Sequence, residues 1–90
     1  MTNQQIVSAV ADKKLRETLA DIINEYGGHL SLYGELTDDV LDITIYSDKF
    51  NQDHLDVIMK HGYYGLEITY STKYNQLKTG IECARREIES

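Results

Sequence analysis

Apolar residues in the first third of the chain fall mostly three and four positions apart: Ile6, Val7, Val10, Ala11, Leu15, Leu19, Ile22, Ile23 and Tyr26. That spacing gathers them into one stripe along a helix. Thr2 and Gln5 have the spacing of a capping box, which predicts a helix start near Asn3. Gly27-Gly28 predicts its end, because glycine takes the left-handed cap conformation without steric cost. The pattern fits one long helix, or a break near Asp12 that sets residues 3–11 apart as a short arm.

After the glycines the period changes to two. Leu30 and Leu32 alternate with Ser31 and Tyr33, and Leu41, Ile43 and Ile45 alternate with Asp42, Thr44 and Tyr46. These read as two half-buried strands joined by a hairpin loop over residues 35–39. Ser47 to Asn51 is a linker, with Asp48 or Asn51 as the cap of a second helix whose buried face is Leu55, Ile58 and Met59. Gly62 ends that helix. A third strand carries Tyr64, Leu66, Ile68 and Tyr70 on one face, and a fourth carries Leu77, Thr79, Ile81 and Cys83 on its inner face, with a loop over 72–76 between them. Residues 84–90 extend the fourth strand or start a short helix.

The second set repeats the first at an offset of 36 residues: Leu19 matches Leu55, Ile22 matches Ile58, Leu30 matches Leu66, Leu32 matches Ile68, Leu41 matches Leu77 and Ile45 matches Ile81. One offset preserves helix phase and both strand phases, which marks an internal repeat with units of about 12–46 and 48–83 in a single domain, 1–90. The order is α-β-β-α-β-β, an α+β fold. An isolated hairpin is marginal in water. Pairing the second strands of the two hairpins at the centre gives a four-stranded antiparallel sheet, with two helices covering one face. This layout resembles a circularly permuted ferredoxin-like fold, and that resemblance implies no function.

Alternation then sorts the strand residues. Leu30, Leu32, Leu41, Ile43, Ile45, Leu66, Ile68, Leu77 and Ile81 point toward the helices, and Ser31, Tyr33, Glu35, Asp42, Thr44, Tyr46, Glu67, Thr69, Lys78, Gly80 and Glu82 toward the open face. Open sheets with aromatic rings suit single-stranded RNA, but this face has four acids against one lysine and no basic-glycine-aromatic signature. The net charge is −6, and residues 17–67 alone hold eleven acids and two bases, Lys49 and Lys60. Such a field repels phosphates and anionic membranes and attracts basic partners. Tyrosine among carboxylates suits a protein partner, since tyrosine gives contact area at low entropy cost and carboxylates complement Lys and Arg. The expected binding residues are Tyr33, Glu35, Asp38, Asp39, Asp42, Tyr46, Glu67 and Glu82.

Catalytic and metal chemistry find little support in the chain. His54 and His61 are seven apart, two helical turns, too far for one metal. Glu35, Asp38, Asp39 and Asp42 are dense, but the EF-hand pattern and its glycine are missing. There is no phosphate loop or nucleophile elbow, and the single cysteine, Cys83, reads as a small buried hydrophobe. No enzyme activity, metal or cofactor is expected. The amino-terminal residues lack the basic start and apolar run of a signal peptide, no apolar run is long enough to span a bilayer, and a cytoplasmic location is the expectation.

A tiny, acidic, tyrosine-rich domain without catalytic motifs resembles the class of phage-encoded anti-defence proteins, including anti-CRISPR proteins. That resemblance implies an inhibitor whose carboxylates take the place of nucleic-acid phosphates in a basic site. The alternative is a homodimeric regulatory domain that holds a small ligand between paired sheet faces.

Overall fold

The computed structural model describes residues 1–62 and 66–87. Tyr64 and the end of the tail, residues 88–90, lie outside the described residues. The chain folds as α1 (Asn3–Ala9), α2 (Lys13–Glu25), β1 (His29–Tyr33), β2 (Val40–Ser47), α3 (Gln52–Lys60), β3 (Ile68–Ser71) and β4 (Gln76–Ala84). The strands form one antiparallel sheet in the order β1-β2-β4-β3. The second strands of the two hairpins therefore meet at the centre, as the pattern predicts. Among the described residues no helix is long and apolar enough to cross a membrane.

Among the described residues there are three helices, not two, because the first stretch takes the alternative of a break near Asp12. The capping box forms at Thr2: its hydroxyl accepts from the Gln5 amide at 3.2 Å, and the Gln5 side chain accepts from the Thr2 amide at 2.8 Å. The helix then breaks at Val10, which is extended and pairs with Arg85 beyond β4. The Ala11 amide donates to the Ala84 carbonyl and the Arg86 amide to the Ala9 carbonyl. Asp12 restarts the helix by accepting from the Leu15 amide at 2.7 Å, a cap whose loss costs about 1 kcal/mol. Arg16 donates to the Val10 and Ala11 carbonyls that the break leaves free. The short first helix is part of the core, with Ile6, Val7 and Val10 buried. Asn3 also accepts from the Leu30 amide at 2.9 Å, which ties α1 to the outer edge of β1.

Gly27 sits at φ +63° just past α2, a conformation that favours glycine. Gly28 is required for a different reason, since a Cβ there would lie 2.6 Å from the Ile22 side chain.

Strand registers carry the same 36-residue offset as the apolar pattern. Leu32 pairs with Ile43 in the first hairpin, and Ile68 pairs with Thr79 in the second. At the centre Thr44 pairs with its own counterpart, Gly80, so a pseudo-twofold passes between them. Leu30, Leu41, Ile43, Ile45, Ile81 and Cys83 join Leu15, Leu19, Ile22, Val57 and Ile58 in a single core.

The two units differ where helix meets strand. Asn51 caps α3 by accepting from the His54 amide at 2.7 Å. Its buried residues are His54, Val57 and Ile58; Leu55 is only half-buried and Met59 is 56 % exposed. The helix is thus turned from the Leu55-Ile58-Met59 face that hydrophobicity alone selects. His54 tolerates the inner position because its Nε2 lies 3.2 Å from Asp21 and its ring packs beside Tyr26. On β3, Ile68 has the predicted inward phase, opposite Thr79, yet it is exposed, because among the described residues no helix packs closely on this strand.

Candidate functional site

Cross-strand pairing arranges the open face in rows. At one end Tyr33, Asp42 and Glu82 stand side by side on β1, β2 and β4. The middle row is small: Ser31, Thr44 and Gly80. At the other end come His29, Tyr46, Lys78 and Thr69.

Tyr33 and Tyr46 share the face but not a neighbourhood. Tyr33 closes β1 and is 83 % exposed. Tyr46 is half-buried and stacks on His29 with ring centres 4.6 Å apart and planes within 10°. Tyr74, from the β3–β4 turn, meets both rings edge-on at 4.7 and 4.6 Å. Tyr46 is therefore occupied within an internal aromatic cluster, a geometry favoured by the quadrupoles of the rings.

The acidic hairpin loop divides in the same way. Asp38 accepts from the Glu35 amide at 2.9 Å, which closes the turn beside Gly34 at φ +98°. Arg85 ties down the far side: its amide donates to the Asp39 carbonyl, its Nε to the Asp38 carbonyl, and its guanidinium lies 3.5 Å from the Asp39 carboxylate. Asp38 and Asp39 thus shape the loop, and Glu35 is exposed beside Tyr33. Glu67 is exposed ahead of β3, where its carbonyl accepts from Thr79.

Asp42 and Glu82 form the distinctive pair of this surface. They are direct cross-strand partners, and among the described residues neither is within ion-pair distance of a basic group. Like charges directly opposite are unfavourable, here by about 0.5 kcal/mol. A depression of about 390 Å³ at this end is bordered by Glu82, Val40, Lys60 and His61.

On the inner side of β4, burial pushes the Cys83 thiol up to about 11, with smaller contributions from Asp12 and Glu82. The fold therefore favours the neutral thiol. This contribution is full below the ordinary thiol value of 9.0 and is lost as pH rises toward about 11. At neutral pH, Cys83 is expected to react with an aromatic disulfide reagent only at the rate of unfolding, so labelling in urea should follow the loss of structure. Labelling of the folded chain at the rate of a free thiol would contradict this burial.

A second acidic surface depends on the rotation of α3. Glu17 and Asp21 from α2 face Asp53 and Asp56 from α3 across a cleft of about 570 Å³ that holds one cation, Lys14, and the buried His54. The α2 half is visible in the sequence as the ridge Glu17-Asp21-Glu25. The α3 half follows only once His54 is known to face inward. No group of three or more His, Cys, Asp or Glu side chains among the described residues is arranged to hold a metal ion. No known protein family, curated protein or solved structure matches the chain.

Proposed function

We propose that the chain is a small, non-catalytic interaction module that binds a basic site on a partner protein and inhibits it. One observation supports this reading above the others: Asp42 and Glu82 stand directly opposite each other, unneutralised, beside the exposed ring of Tyr33. The fold bears the repulsion without return, and a lysine or arginine from a partner would relieve it. Tyr33 would supply the anchoring contact area, with Glu35 at the margin.

In its sharper form the carboxylates take the place of phosphates, and the partner is a cytoplasmic protein that handles nucleic acid, as with phage anti-defence and anti-CRISPR proteins. We also read the part from α2 to β4 as a permuted ferredoxin-like arrangement to which α1 is added. A small ligand enclosed between two open sheet faces is disfavoured, because that stacking would set the unneutralised carboxylates of two copies against each other.

Immobilised protein is expected to retain a basic protein from an extract of its native host at low salt and to release it in a salt wash, while duplex DNA passes through. Retention of nothing basic, or retention indifferent to salt, would overturn the proposal.

A further inference from the structure

The two edges of the sheet are not alike. On β1 the Leu30 amide is taken by Asn3. On β3 the residues Ile68, Thr69 and Tyr70 are exposed in succession, so both faces of this strand are open. Ile68 is 38 % and Tyr70 54 % exposed although both point to the helix side of the sheet, where the β1 counterpart of the first, Leu32, is half-buried. The strand Ile-Thr-Tyr-Ser is short, at four residues, but contains no charge and no proline, two of the usual protections of a free edge.

We propose that β3 pairs antiparallel with β3 of a second copy, centred on Thr69. The strand is self-complementary in that register. Ile68 faces the partner's Tyr70 and Tyr70 faces the partner's Ile68, giving two pairs of a β-branched and an aromatic residue, while the two Thr69 residues face each other. Charge supports a second copy as the occupant. The charged residues nearest the strand are Glu67 on one side and Lys73 on the other. The antiparallel arrangement sets each Glu67 opposite the partner's Ser71, and the next charge along the partner chain is Lys73, in the turn over the Tyr74 ring, so the nearest charge across the seam is of opposite sign. Two chains of net charge −6 thus meet along an edge that brings no like charges together.

A two-fold of this kind runs perpendicular to the sheet, so the open faces of both copies lie on the same side of an eight-stranded sheet. The dimer stands independently of the acidic-row reading. If both hold, it presents two Tyr33-Asp42-Glu82 rows to one extended or two-fold partner.

Light scattering over a concentration series is expected to show mass rising from 10.3 kDa toward twice that value. Thr69→Cys should form a covalent dimer under mild oxidation, because directly opposed residues lie within disulfide range. Wild type, whose only cysteine is buried, should not. Tyr70→Lys should stay at 10.3 kDa and keep the far-ultraviolet circular-dichroism spectrum of the folded chain, with a melt that no longer depends on protein concentration. A mass of 10.3 kDa at every concentration would overturn the proposal. So would a dimer that Tyr70→Lys leaves intact, or one in which Thr69→Cys fails to cross-link. Capture of a foreign strand by a chain that stays monomeric would assign the edge to a different occupant and reject self-pairing.

Discussion

Ile81→Ala is expected to lower the unfolding free energy by about 3 kcal/mol, while Met59→Ala changes it by less than about 0.5 kcal/mol. Ile81 is fully buried and faces Ile43, also fully buried, across the central strand pair. The alanine would leave a cavity between two strands whose backbones are held by their ladder, so little collapse can refill it. A domain of this size has roughly 5–15 kcal/mol in total, and the loss corresponds to about 15 °C in melting temperature. Met59 matches Ile23 in the repeat, and hydrophobicity alone assigns it to the core. The rotation of α3 turns it out to solvent. Urea midpoints for both variants check the packing. Comparable losses would mean that α3 presents Met59, not His54 and Val57, to the sheet.

Neutralising Asp42 and Glu82 together is expected to separate binding from stability. In Asp42→Asn/Glu82→Gln the cross-strand repulsion disappears, and the fold gains about 0.5 kcal/mol. The side chains keep their size and the sheet its register. A basic partner of the kind proposed would, by contrast, lose the groups that face its cations. Removing an interface hot spot costs about 2 kcal/mol or more, roughly thirtyfold in Kd. Calorimetric titration with the captured partner would measure the loss, and thermal melting the gain. A variant that binds as well as wild type would remove the row from the interface. A variant that unfolds more easily would show that these carboxylates support the sheet.

Much of this surface follows from alternation. Leu41, Ile43 and Ile45 against Leu77, Ile81 and Cys83 reveal strand phase, and the single offset reveals which strands meet at the centre. Phase and pairing together place Tyr33, Asp42 and Glu82 in one row. Other features depend on contacts between residues far apart in sequence. The apolar stripe runs unbroken through Val10, so the sequence leaves one long helix and a break near Asp12 both open, and the pairing of Val10 with Arg85 decides for the break. His54 is a less obvious core residue than Leu55, and its position rests on Asp21, thirty-three residues earlier. Tyr46 looks like a free anchor until Tyr74 folds over it from a turn shaped by Asn75 at φ +56°. Asp38 and Asp39 read as exposed acids of a hairpin loop, and what their sequence does not reveal is that Arg85, forty-six residues beyond Asp39, donates to both their carbonyls while the Asp39 carboxylate stays exposed.

If a located row, and not bulk acidity, is what the proposed basic partner recognises, neutralising that row alone abolishes capture. Asp42→Asn/Glu82→Gln and Glu17→Gln/Asp56→Asn each remove two negative charges from the same total of −6, the first from the open sheet face and the second from the cleft between α2 and α3. The decisive measurement compares capture of the basic partner by the two variants at one salt concentration. The sheet-face variant is expected to lose the partner and the cleft variant to keep it. Equal loss in both, or loss only in the cleft variant, would contradict it.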